Sequence, residues 1–415
     1  MSNSRVRIVI IGGGAAGFFG AVTCAAHNPE AEVILLEKTS KLLSKVRVSG
    51  GGRCNVTNNT RHVSQLIKNY PRGGKQLRQP FEVFGVGKTV EWFEHRGVKL
   101  KTEPDGRMFP VTDNSQTIID CLLHEAGKTG VIIKTGTGVE AVEVRNEDST
   151  AEKFLLKLNN GSALSCHKLL IATGGSPKPE SYQWLEKLGH KIEAPVPSLF
   201  TFNVPAGNYA ELMGISVPAA RVKVAGKKLE EEGPLLVTHW GFSGPAVLRT
   251  SAWGARMLHE AGYKFTAHIS WVPNITEDEL RQHLTSYREA NPKRVVSVNP
   301  MFGLPQRLWK KITEIAEINP EIRWADLPKK NQNKLLEELL RSEQTVSGKT
   351  TFKEEFVTAG GVSLQEVDMR TMQSRKVPGL YFAGEVLDID GITGGFNFQA
   401  AWATGFVAGQ EMAKP

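Results

Sequence analysis

The feature that most constrains this chain is a set of glycines placed between a strand and a helix near its start. Ile8-Val9-Ile10-Ile11 is a short apolar run that leads into Gly12-Gly13-Gly14-Ala15-Ala16-Gly17 and then a stretch of small residues. This is G-x-G-x-x-G in the setting that gives it meaning. The spacing divides the work: Gly12 allows a tight turn, Gly14 lets a pyrophosphate approach the backbone, and Gly17 lets the helix pack close to the strand. Phosphates then meet a helix N-terminus, where free N–H groups and the positive end of the dipole face no opposing side chain. A second apolar run, Ala31 to Leu36, ends in Glu37, which lies 37 − 17 = 20 residues past Gly17 and can accept from a ribose hydroxyl. The pattern predicts a dinucleotide-binding α/β domain.

Two later stretches have the same texture. Lys168 to Ile171 reads as a buried strand ending in Ala172-Thr173-Gly174-Gly175, and Gly379 to Ala383 as another ending in Gly384-Glu385. After a loop from Asp388 to Gly395, Phe396-Asn397-Phe398-Gln399 opens a small-residue helix through Gly405 and Gly409, a second helix N-terminus able to face a ligand. One nucleotide domain built from both chain ends is therefore expected, over 1–194 and 351–415. Residues 195–272 alternate short strands with Pro and Gly turns and read as a compact β unit. Residues 273–350 read as helical: Thr276 and Glu279 form a capping box ahead of Leu280, Leu284 and Tyr287, and Pro305 opens a helix carrying Leu308, Ile312 and Ile315. Within the first part, Gly85–Arg96 and Ser115–Lys128 read as helices and Pro104–Pro110 as a hairpin-like turn.

The 415 residues suit two or three domains. The four cysteines, Cys24, Cys54, Cys121 and Cys166, are far apart with no C-x-x-C, so neither a disulfide framework nor a metal site is indicated, and a reducing, cytoplasmic setting is expected. Glycines interrupt the apolar N-terminal run, which argues against a signal peptide or membrane span. The formal charge of +8 is concentrated in one place: from Lys38 to Phe81 there is no Asp or Glu, while Lys38, Lys41, Lys45, Arg47, Arg53, Arg61, Lys68, Arg72, Lys75 and Arg78 are basic. Such a segment is either a solvated face or a surface for a polyanion such as RNA, with Tyr70, Phe81 and Phe84 as aromatic neighbours for an unstacked base.

The centre of that segment, Ser49-Gly50-Gly51-Gly52-Arg53-Cys54-Asn55, suits a loop whose N–H groups, hydroxyl, guanidinium, thiol and amide face a ligand. Arg53 could equally be an ordinary salt-bridge residue. Cys54 and, in the β unit, His239 of Thr238-His239-Trp240-Gly241 are the candidate catalytic proton donors, and each is also a residue type that commonly just packs.

The paired chain ends, together with Ser49 to Asn55, Ala172 to Gly175, Phe242-Ser243-Gly244-Pro245, Thr371-Met372 and Gly394-Gly395-Phe396-Asn397, resemble the BaiN/RdsA-type flavoproteins, also called YhiN-like, over nearly the whole chain. The resemblance implies tightly bound FAD on a Rossmann-like domain, with an inserted β-barrel and a helical subdomain. It implies that Gly12, Gly14, Gly17 and Glu37 hold the ADP half, Gly384 and Glu385 the ribityl and phosphate region, and Gly395, Phe396 and Asn397 the isoalloxazine edge. The rest of the expected cofactor-binding set is Ala15, Ala16, Lys38, Ser49, Gly50, Gly51, Arg53, Asn55, Val139, Ala172, Thr173, Gly174 and Gly394. The family is linked to reduction of activated double bonds in steroid-like acids, to amine oxidation and to dihydrouridine formation in ribosomal RNA.

The expected activity is thus an FAD-dependent reduction of a polarised C=C bond, with uracil in ribosomal RNA as favoured substrate. A small-molecule oxidoreductase acting on enones, steroid acids or amines is the alternative, and a non-catalytic flavin-bearing RNA-binding protein is a third. No second glycine fingerprint is present for NAD(P)H, so such an electron donor is expected to visit the flavin face only transiently.

Overall fold

The computed structural model describes residues 5–145, 152–205, 209–350 and 357–415, which divide into two compact units, Met1–Pro197 with Lys353–Pro415 and Ser198–Phe352. In the first unit the strands β1 (Arg7–Ile11), β2 (Glu32–Leu36), β3 (Ile132–Lys134), β4 (Lys168–Ile171), β5 (Val367–Asp368), β6 (Gln373–Ser374) and β7 (Leu380–Phe382) form one sheet in the order β5-β6-β7-β4-β1-β2-β3. The four pairings from β7 to β3 are parallel, and β5 and β6 close the other side antiparallel. Continuous apolar runs in β1, β2 and β4 are what a sheet covered on both faces requires.

Two helices pack together across one face: α1 (Ala15–His27) and α2 (Phe396–Ala413). Their contact is made of backbone, because a Cβ at Gly405 would come 2.5 Å from the Ala16 carbonyl oxygen and one at Gly409 would come 2.6 Å from that of Gly20. Glycines at this crossing therefore set the helix separation, and the Phe19 and Trp402 rings, 5.1 Å apart, fill the flank. The indole of Trp402 donates to the Val56 carbonyl at 2.9 Å, which ties the C-terminal helix to the glycine-rich segment.

The helices read at Gly85–Arg96 and Ser115–Lys128 are present as Val86–Glu94 and Gln116–Lys128. The turn near Pro104 joins an antiparallel pair, Leu100–Thr102 with Arg107–Pro110, to which Thr57–Asn58 adds a third strand. The strand beginning at Ile132 does not join the alternating strands after it but extends the main sheet. Val139–Val144, Phe154–Leu158 and Ala163–Cys166 make a separate antiparallel sheet.

The second unit holds a seven-stranded antiparallel sheet and the helices Glu277–Ala290, Gln306–Ile315 and Lys329–Arg341 on one shared core that includes Trp271, Trp309 and Trp324. The capping box at Thr276 and Glu279 is formed, and Pro305 caps the next helix, as the sequence indicates.

Candidate functional site: a dinucleotide cradle

Ile11 pairs in register with Ile171 and Leu36, and Ile171 with Phe382, so the chain leaves four adjacent parallel strands side by side at Gly12, Ala172, Glu37 and Ala383. Chain order reverses direction between β1 and β4, and a crevice at the carboxyl ends of such a sheet is where α/β proteins hold nucleotides. Gly12, with φ +116°, and Gly17 lie at the closest approach: a Cβ on Gly17 would overlap the Gly12 carbonyl oxygen and one on Gly12 the Ala172 carbonyl oxygen. Gly14 is different. It caps α1 in an extended conformation, and a Cβ there would meet nothing within 4 Å.

Gly51, Gly52 and Gly174 also border open space. The free N–H groups of the first α1 turn, around Gly14, Ala15 and Ala16, therefore lie beside unfilled space, the arrangement that suits an anion at a helix N-terminus. The site fits the diphosphate of a dinucleotide on this structural ground.

Glu37 supports the same turn. One carboxylate oxygen accepts from Gly13 N–H at 2.9 Å and the other from Thr39 N–H and hydroxyl at 2.8 and 2.9 Å, with lone pairs to spare for a ribose hydroxyl. Lys38, exposed, and Val139, half-buried, flank this end, where Thr137 N–H donates to the Glu37 carbonyl at 2.8 Å. On the opposite side, a Cβ on Gly384 would lie 2.8 Å from the Ala16 methyl, so the β7 turn touches the first turn of α1. Glu385 accepts from Thr358 N–H at 2.8 Å and from the Lys45 ammonium at 2.6 Å, beside Gly175, while Ala172 and Thr173 lie against Gly12.

The glycine-rich segment differs from its expected form. Ser44 to Val48 is helical, the helix breaks at Ser49, and Gly50 and Gly51 are left-handed. Cys54 is itself left-handed, with φ +61°, and its side chain turns inward to complete burial. Arg53 donates to Glu103 at 2.6 Å and lies 3.9 Å over the Phe109 ring. The Asn55 amide, turned to donate to the Thr57 carbonyl at 3.0 Å and accept from Gly395 N–H at 2.9 Å, joins this segment to the cap of α2. Ser49 bonds the Val46 carbonyl. These side chains brace the loop, and its backbone at Gly51 and Gly52 borders open space.

Burial also reverses the expected electrostatics of Cys54. Burial pushes the Cys54 thiol up to about 12, against a smaller lowering by the hydrogen bond with Ser49. Cys24 is likewise raised to about 12 and Cys121 to about 11. A native-state thiol held protonated stabilises the fold fully below the unfolded value near 9, and that contribution is lost as pH rises toward the folded value. We expect a thiol reagent at pH 8 to label none of the four buried cysteines until denaturant is added, and the unfolding midpoint to fall above about pH 9. Rapid native labelling of Cys54 would contradict this placement.

His239 lies in the second unit, exposed, in the turn between Glu230–Thr238 and Gly241–Ser243, with its ring 3.8 Å from that of Trp240.

Four residues have a structural role that the sequence does not announce. Tyr70, Arg72, Asp390 and Gln399 are all buried or nearly so, and all join the basic segment to the chain end. Gln399 accepts from Thr57 and Thr89 hydroxyls at 2.7 and 3.0 Å and donates to the Phe84 carbonyl at 3.2 Å. Tyr70, Phe81 and Phe84, expected as stacking platforms, are instead core: Tyr70 donates to the Phe396 carbonyl at 2.7 Å, and Phe84 stacks on Phe406 at 4.2 Å. The only forewarning was an acid, Asp390, set in the largely apolar run from Leu387 to Ile392.

No group of His, Cys, Asp or Glu among the described residues is arranged to hold a metal, and no described helix is long and apolar enough to cross a membrane.

Known proteins share this architecture. A ribosomal RNA dihydrouridine synthase from Escherichia coli is 31% identical over 98% of both chains. A 3-dehydro-bile acid delta(4,6)-reductase from Clostridium scindens is 28% identical over 98% of this chain and 99% of its own. Among solved structures, a 3-ketosteroid-delta4-(5alpha)-dehydrogenase from Rhodococcus jostii matches the fold with a TM-score of 0.52 at 13% identity, over 100% of this chain and 99% of that one. The family model described as HI0933-like protein Rossmann domain matches residues 6–411. The chain belongs to this HI0933-like family, the BaiN/RdsA-type group of Rossmann-domain flavoprotein oxidoreductases that its motifs resemble.

Proposed function

We propose that this protein is an FAD-dependent reductase of an activated C=C bond, and that its favoured substrate is uracil in ribosomal RNA, reduced to dihydrouridine. FAD, when bound, supplies the two-electron chemistry, with NAD(P)H as the transient donor that replenishes it. The chain's own contribution is to hold the diphosphate on the α1 turn, anchor the ribose at Glu37, and present the substrate side through Gly51, Gly52 and the α2 cap. Reduction also needs a proton on the second carbon. The buried Cys54 thiol retains its proton but has no exposed surface, so Cys54→Ala should leave turnover intact, and His239 is the other candidate to replace.

The RNA reading rests on one observation. Lys68, Lys75 and Arg78 are exposed and make no ion pair among the described residues, while Lys45, Arg53 and Arg72 of the same segment are spent on internal pairs. Three uncompensated cations on one short stretch suit a phosphate backbone. A relative of 31% identity that carries the name ribosomal RNA dihydrouridine synthase supports the same choice. The likeness to the bile acid reductase supports the small-molecule alternative.

Nucleoside mass spectrometry of ribosomal RNA from a strain lacking the protein decides between them. The proposal expects one dihydrouridine to disappear and to return with the wild-type gene, and to return poorly with Lys68, Lys75 and Arg78 all changed to Gln. RNA of unchanged dihydrouridine content would give the lead to a small-molecule substrate.

A further inference from the structure

We propose that Arg72 and Asp390 are positioning residues for the flavin: a buried latch that fixes the loop from Leu387 to Gly395 and so sets the geometry of the cofactor's reactive edge. The inference rests on the FAD reading above and adds to it residues that lie behind the site rather than in it.

Asp390 is completely buried, and its partner Arg72 is nearly so. The guanidinium engages both carboxylate oxygens, with Nε donating to Oδ1 at 2.5 Å and Nη2 donating to Oδ2, and the two residues are also joined by a backbone bridge. A fork-to-fork pair of this kind is directional, since both oxygens fix both distance and plane. It is also a poor choice if stability were all that was required, because buried ion pairs are commonly replaced by apolar residues at no loss.

Further bonds in the neighbourhood constrain the same loop. Ile392 N–H donates to the Asn69 carbonyl at 2.9 Å, and the Tyr70 hydroxyl donates to the Phe396 carbonyl at 2.7 Å. The Asn397 amide spans Gly391, accepting from its N–H at 2.8 Å and donating to its carbonyl at 2.9 Å. Asn58 donates to the Gly394 carbonyl at 3.2 Å. The loop ends at Gly395, where a Cβ would lie 2.5 Å from the Thr57 carbonyl, so the α2 cap has no slack on that side. Residues 69–72 thus hold one side of the loop and residues 55–58 the other. The exposed cations Lys68 and Lys75 lie four residues before and three residues after Arg72, so the surface offered to substrate and the loop offered to flavin share one anchor.

The test uses the full-length protein. Arg72→Met combined with Asp390→Leu removes the charges together and keeps the volume, and Arg72→Lys keeps the charge but loses the fork. Apoprotein melting, FAD affinity by fluorescence quenching and the visible spectrum of bound flavin are measured on each. The latch predicts that the double variant melts within a few degrees of wild type yet binds FAD at least tenfold more weakly with an altered flavin band, and that Arg72→Lys falls between. FAD affinity and spectrum equal to wild type in a folded double variant would overturn it. If the double variant does not fold, Arg72→Lys decides by the same two readouts, unchanged values again overturning the latch. Wild-type protein that takes up no FAD would instead sink the underlying FAD reading, a result distinct from either variant outcome.

Discussion

Gly14→Asp is expected to yield a folded protein that cannot hold FAD. Gly14 has the extended backbone of a helix N-cap, its Cβ position is open, and α1 has no side-chain cap of its own. An aspartate there should cap the helix and favour its dipole, with only a few tenths of a kcal/mol over glycine from the cap and about 0.3–1 kcal/mol from the dipole. The same carboxylate would stand where the diphosphate must lie, adding like-charge repulsion to lost space. We expect FAD affinity to fall at least a thousandfold, about 4 kcal/mol at 1.4 kcal/mol per tenfold, while apoprotein melting stays level or rises. Gly17→Ala should behave oppositely, losing stability because its Cβ overlaps the Gly12 carbonyl. Equilibrium FAD titration and thermal melting of both variants check the pair. A Gly14→Asp protein that retains FAD would mean that the diphosphate lies elsewhere.

Arg72→Ala should be among the most damaging single changes in the first unit. It leaves the Asp390 carboxylate fully buried without its bidentate partner, and breaking a buried pair from one side costs about 3–5 kcal/mol. Lys75→Ala, on the exposed face of the helix Gly74–Val83, should change stability by no more than about 0.5 kcal/mol. Denaturant unfolding of the two variants separates them. A loss below about 1 kcal/mol for Arg72→Ala would show that water or other partners satisfy Asp390.

That contrast marks where the sequence stops being legible. The strand, glycines, helix and acid from Ile8 to Glu37 are local signals, each set by backbone geometry or a short period, and the structure forms them as read. The capping box at Thr276 is local in the same sense. The basic segment is not, because the partner of Arg72 lies 318 residues away and that of Lys45 lies 340 residues away. Charge counting sees ten equivalent cations, and only tertiary structure sorts them into struts and surface. The inward turn of Cys54 escaped for a related reason: a left-handed non-glycine residue is imposed by packing and carries no period. Tyr70, Phe81 and Phe84 read as available aromatics because burial of a single ring depends on which helices cover it, here partly on the C-terminal α2.

The central claim is that the cradle at Gly12 to Glu37 holds a flavin dinucleotide. The most direct measurement is identification of the flavin released when the purified, reconstituted protein is denatured. The account predicts a yellow protein releasing FAD at close to one molecule per chain. Release of FMN alone, or no flavin after reconstitution, would contradict it.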